Sequence, residues 1–134
     1  MFTFDEQTIS DLHKDARGFR PHAAFTEGWR QSDDENKQAI WDGLLRELDH
    51  VQAEEARRER EALFEFHAEL QDIIAIGAGD RKTALRWMTQ SSTFHTSQCV
   101  EGWVFSRGIL FTDFGRELVN ELMDIVTFKE WEAA

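Results

Sequence analysis

Five histidines, one cysteine and an excess of carboxylates are the residues of this chain that could do chemistry. The histidines are His13, His22, His50, His67 and His95; the cysteine is Cys99. Zinc asks for three or four converging ligands, usually from paired short spacings. Only His95 and Cys99, four residues apart, make such a pair. On one helix they would touch, as a thiolate–imidazolium pair requires. The polar run Ser91–Thr96 and a cap at Ser97 put His95 outside that helix, so Cys99 reads as a buried structural residue. His67 lies beside the apolar stripe of a long helix, where a hydrogen-bonded core histidine is expected, and His50 on its polar side. No carboxylate pair can be singled out for acid–base work from 26 acids. Gly77-Ala-Gly79 lacks the Gly-Lys-Ser/Thr that completes a phosphate loop, and G-x-S-x-G, H-E-x-x-H and C-x-x-C do not occur. A non-enzymatic protein with no metal and no cofactor is the expectation.

Charge narrows the partners. Acids outnumber bases 26 to 15, a formal charge of −11. Unspecific binding to DNA or RNA needs net phosphate neutralisation by Lys and Arg, so direct nucleic-acid binding is disfavoured. Such acidity suits a basic protein partner, a surface that imitates the nucleic-acid backbone, or solubility alone. No apolar run approaches the 18 residues of a membrane span. MFTFDEQTI has neither the basic region nor the apolar core of a signal peptide, and a single cysteine fits a reducing compartment. A cytoplasmic protein is expected.

The elements that must position these residues are all helical. The stretch Ser32–Gly79 has no proline and one interior glycine before its end, Gly43. Its large apolar residues, Trp41, Leu44, Leu48 and Val51, then Leu63, Phe66, Leu70 and Ile73, fit one straight 3.6-residue period. Between them EEARRERE (54–61) mixes both signs at i, i+3 and i+4 spacing, with Glu54–Arg58 and Glu55–Arg58 as candidate pairs. With no Gly or Pro to turn it, this segment reads as a continuous rod rather than a hairpin. Thr3 and Glu6 form a capping-box pattern for a short first helix, stopped by Gly18 and Pro21; Ser32 and Glu35 form a second one for the long helix. Gly77 and Gly79 end it. Asp80 caps a helix over 81–90, Ser97 one over 98–107, and Thr112 or Asp113 the last, which runs to about Trp131. Ile109-Leu-Phe111 reads as short and buried. The prediction is an all-α fold, one domain over 1–134, with a first helix and connector (1–31), a long central helix (32–79) and a C-terminal helical part (80–134), the shorter helices packed at the ends of the long one.

Two segments carry a resemblance. Asp11-Leu-His-Lys-Asp-Ala-Arg-Gly-Phe-Arg-Pro21 resembles a D-L-x-K-D-x-x-G-F-R-P signature, and Ile76-Gly-Ala-Gly-Asp-Arg-Lys-Thr-Ala-Leu-Arg-Trp-Met88 resembles a G-A-x-x-R-x-T-A-L-R-W segment. Both belong to small acidic accessory proteins of tailed bacteriophages, in which a Glu-rich helix lies between them. The resemblance implies an accessory protein made in the host bacterial cytoplasm; it brings no activity or catalytic residue.

Three functions follow as expectations. The first is a phage inhibitor of a host bacterial protein with a basic surface, such as a nucleic-acid-handling defence complex, of which an anti-CRISPR is one form. Its acidic faces would be Asp33, Asp34 and Glu35, then Glu54, Glu55, Glu59 and Glu61, then Glu117, Glu121 and Asp124. The second is a self-associating structural protein, a homodimer through antiparallel pairing of the long helix. The third is an accessory of phage DNA metabolism that touches nucleic acid through Lys14, Arg17, Arg20, Arg81, Lys82 and Arg86, provided those six form one patch.

Overall fold

A computed structural model of the chain describes residues 1–131. Its α-helices are α1 (Ile9–Arg17), α2 (Ala23–Gln31), α3 (Asp34–Ile73), α4 (Arg81–Thr89), α5 (Ser97–Ser106) and α6 (Asp113–Met123). One π-helical turn, Ile74–Ala78, follows α3 directly. No strand occurs among the described residues, only an isolated bridge between Phe94 and Phe128. The fold is all-α, with one long central helix, and α3 runs unbroken through Glu54–Glu61. Among the described residues, no helix is long and apolar enough to cross a membrane.

The chain divides into two compact units, Met1–Ala56 and Arg57–Ala134. The division falls inside α3, in the polar stretch that has little to bury, whereas the boundaries expected at 31 and 79 follow helix ends. In the first unit Ile9, Leu12 and Ala16 of α1, Trp29 of α2 and Leu44 of α3 form the core. Trp29 is its centre: its ring meets Phe4 edge-on at 5.7 Å, and its Nε1–H donates to Glu6 Oε2 at 2.7 Å. His13 is buried beside it, Nδ1–H donating to the Phe19 carbonyl at 2.8 Å, with Phe25 against the ring. Gly18 closes α1 at φ 88, as expected of a glycine there, and its N–H bonds Lys14 O.

In the second unit Phe66 and Leu70 of α3 pack with Leu85 and Met88 of α4, Val100 and Val104 of α5, and Leu118 and Leu122 of α6. Phe94 and Ile109 complete this core from the loops. Gly79, at φ 80, ends the π turn by bonding Ile74 O. Asp80 caps α4, its Oδ1 accepting the Thr83 N–H at 2.7 Å. This bond, then the Thr83 side chain, holds the Asp80 carboxyl below its ordinary value. A depressed carboxylate stabilises the fold above the unfolded pKa, about 3.9, and that contribution fades as pH falls through the folded value. Asp80→Asn keeps the acceptor but cannot titrate. Below about pH 4 its thermal midpoint should therefore fall less steeply than that of the wild type, whereas Asp80→Ala should be less stable already at pH 7. Equal acid slopes for wild type and Asp80→Asn would contradict this role.

Several expected ends differ. Thr3 and Glu6 form no capping box: α1 begins at Ile9, Thr3 N–H donates to Gln38 Oε1 at 2.7 Å, and Glu6 serves Trp29 and Lys37. Asp33, not Ser32, caps α3, accepting the Asn36 N–H at 2.8 Å; Ser32 Oγ donates back to Gly28 O and finishes α2. Thr96 rather than Ser97 is the N-cap of α5. The last helix ends at Met123, and the chain then extends so that Lys129 N–H reaches Phe94 O. Ile109 is buried but Phe111 is 69 % exposed, against the expectation of a buried run. His67 is exposed and lies against the Phe114 ring instead of entering the core. The last three residues of the expected 80–134 segment lie outside the described residues.

Candidate interaction surfaces

Acids are concentrated in the first unit, which has 13 against six bases. Three of those bases are occupied: Arg17 binds Glu47, Arg20 binds Asp11 and Lys37 binds Glu6. Hydrogen bonding lowers the Glu47 and Glu6 carboxyls, the first chiefly through Arg17 and the second chiefly through Lys37. The outward face of α3 carries a different set. At 100° per residue Asp34, Asp42 and Asp49 fall within about 80° of one another, along about 22 Å of helix axis. All three are exposed, as is Glu35 next to them. Asp42 accepts only the Gln38 amide, and Asp34, Glu35 and Asp49 form no salt bridge among the described residues. Leu44, about 140–160° around the helix from Asp42 and Asp49, points into the core, and Leu48 lies at its edge.

The residues expected to bind a partner therefore separate into three kinds. Asp34 and Glu35 belong to this stripe, with Asp33 at its start as a helix cap. Glu55 and Glu59 are exposed on α3, Glu54 is half-buried, and Glu61 is taken by Arg57 at 2.6 Å. On α6 Glu117 is exposed and Asp124 forms the C-cap, but Glu121 is clamped by Arg81 through two bonds of 2.8 and 2.9 Å. That pair holds the Arg81 guanidinium above its ordinary value and fastens α4 to α6, so it is structural. Asp42 and Asp49 were not among the residues expected from sequence. Their signal was available: they lie roughly opposite Leu44 on the helical wheel and within about 80° of Asp34.

The six cations named for nucleic-acid contact are divided between the two units and partly neutralised. Lys14, Arg17 and Arg20 lie in one unit and Arg81, Lys82 and Arg86 in the other, and Arg17, Arg20 and Arg81 are neutralised by acids. His95 and Cys99 do not form a catalytic pair. The imidazole donates from Nδ1 to Lys129 O at 2.8 Å and stacks on Trp131 at 3.9 Å. The half-buried Cys99 thiol is lowered by the backbone of His95 and then by that of Thr96. No group of three or more His, Cys, Asp or Glu that could hold a metal occurs among the described residues. Large apolar side chains are exposed in the second unit, where Phe105 and Phe111 meet edge-on with centroids 6.1 Å apart.

No protein-family model, curated protein or solved structure matches the chain. Function has to be argued from these surfaces.

Proposed function

We propose that the protein acts without catalysis, by binding a basic surface on a bacterial protein and occluding it. The observation that carries this reading is the α3 stripe of Asp34, Asp42 and Asp49 with Glu35, carboxylates that make no salt bridge within the fold. Asp34 and Glu35 sit in the first turn of α3, where the helix dipole favours them, but the stripe as a whole adds to the self-repulsion of a chain with a net charge of −11. A cationic partner relieves that repulsion, and a groove that neutralises nucleic-acid phosphates with Lys and Arg is such a surface. The two sequence segments resembling phage accessory proteins support a bacterial host and its cytoplasm; a defence complex that handles nucleic acid is one class of target with such a surface.

Binding of this kind is fast, steered by charge and weakened by salt, because the Debye length falls from about 10 Å at 0.1 M to about 3 Å at 1 M. The quadruple variant Asp34→Asn, Glu35→Gln, Asp42→Asn, Asp49→Asn should lose about tenfold or more in affinity for the captured partner, mostly in association rate at low salt. A partner bound equally by both proteins would remove the charge mechanism.

Self-association is the second reading, favoured by the exposed Phe105–Phe111 pair. Sedimentation equilibrium at micromolar concentration separates the two: a dimer that Phe105→Ser with Phe111→Ser dissociates would support it, and a monomer would exclude it.

A further inference from the structure

An open cleft of about 440 Å³ lies in the second unit, between the C-terminal half of α4, the loop after it and the extended segment beyond α6. Its charge is unusual for this protein. Arg86 lines it from α4 and Lys129 from the extended segment, and no carboxylate lines it among the described residues. Neither cation forms a salt bridge among the described residues, although the Arg86 charge also acts on the Asp80 carboxyl from a distance. Trp87, 43 % exposed, also lines the cleft, with Gln90, Ser92 and Thr127.

The backbone fixes these groups. Trp87 rests near Gly77, where a Cβ would stand 3.5 Å from the ring, so the π turn supports the indole. Lys129 is held by its N–H on Phe94 O, and its carbonyl receives the His95 imidazole. The two walls are thus tied together on both sides of Lys129.

We propose that this cleft binds a nucleoside phosphate. Arg and Lys hold phosphate oxygens by charge-assisted hydrogen bonds. An exposed indole offers a base a face on which to stack. A carboxamide and two hydroxyls can pair with the edges of base and sugar. The volume falls within the range of small-molecule sites, about 300–1,000 Å³. An extended acidic peptide would use the cations but leave the indole without a role, so the mononucleotide is the better match.

The test is an NMR titration of the full chain labelled with nitrogen-15, with AMP, adenosine, inorganic phosphate and a poly-glutamate peptide as separate probes. Trp87→Phe assigns the Trp87 indole resonance. AMP should move that resonance and the Lys129 amide saturably, with phosphate and adenosine each at least about tenfold weaker. Arg86→Ala and Lys129→Ala should each weaken AMP about tenfold, the loss of one charge-assisted bond. Both side chains are exposed and in no salt bridge, so circular dichroism should report unchanged folds. No saturable shift with AMP would overturn the proposal. So would AMP binding indifferent to both variants, or a peptide or phosphate that binds as tightly as AMP.

Discussion

Gly115→Ala should destabilise the second unit by about 3 kcal/mol or more, because the added methyl has nowhere to go. A Cβ at Gly115 would stand 1.8 Å from Ile109 O, 2.6 Å from Ile109 C and 3.0 Å from Leu110 Cα. All three are backbone atoms, so no rotamer change relieves the overlap. The crowding is built by Thr112, which ties two elements together through one hydroxyl. Its Oγ1 donates to Ile109 O at 2.6 Å and accepts the Gly115 N–H at 2.9 Å, folding the 109–112 turn onto the first turn of α6. Ile109 is fully buried in the same core as Leu118 and Leu122, so a shifted backbone there unpacks α6. Gly102→Ala supplies the control within the same unit. It lies in α5 with nothing within 4 Å, and should gain about 0.5–1 kcal/mol from helix propensity. Urea denaturation followed by circular dichroism gives both values. A Gly115→Ala cost under 0.5 kcal/mol would mean that the 109–112 turn does not lie against α6 as described.

Trp29→Ala is the second large effect, expected at about 3–5 kcal/mol on the first unit. A unit of this size buries a smaller share of its surface than a larger domain, so losing its largest core side chain should unfold it. The indole fills the space among Ile9, Leu12, Ala16 and Leu44. It also meets Phe4, and Lys37 lies over its ring at 5.6 Å while binding Glu6 at 2.7 Å. Trp29→Phe separates packing from hydrogen bonding. It keeps most of the volume and forfeits only the bond to Glu6, whose carboxylate is exposed and retains Lys37. Its cost should stay below about 1.5 kcal/mol. If the two variants lose equal stability, the hydrogen bond rather than the packed ring anchors the N-terminal segment.

These two sites also mark where the sequence could be read and where it could not. The stripe Trp41, Leu44, Leu48, Leu63, Phe66, Leu70 announces α3 by period alone, and the absence of Gly or Pro from EEARRERE announces its continuity. Gly115 is different. A glycine three residues past a cap looks unremarkable until Ile109, six residues earlier, is brought against it by tertiary folding. The misplaced caps have the same cause. T-x-x-E at Thr3 and S-x-x-E at Ser32 are local patterns, but Gln38 claims the Thr3 N–H from 35 residues away, and the Ser32 hydroxyl turns back to Gly28. Local motifs lose when a distant side chain offers the same backbone group a bond.

That acids crowd the exposed faces was legible in composition; which of them the fold occupies was not. Glu121 and Glu61, named as partner-binding, are salt-bridged, while Asp42 and Asp49 join Asp34 on the exposed face. Sequence distance hides the Arg81–Glu121 clamp, which closes over 40 residues. The α4 cleft was hidden for the same reason, since Arg86 and Lys129 are brought to one site only when the chain after α6 returns to Phe94.

One measurement bears most directly on the acidic-face account. The tagged wild type and the quadruple α3 variant are used to capture proteins from bacterial lysate in parallel, each washed at low and then high salt, with mass spectrometry of the eluates. The account predicts a stoichiometric nucleic-acid-handling protein retained by the wild type, released by salt, and depleted about tenfold or more on the variant. A partner retained equally by both, or one that salt does not release, would contradict it.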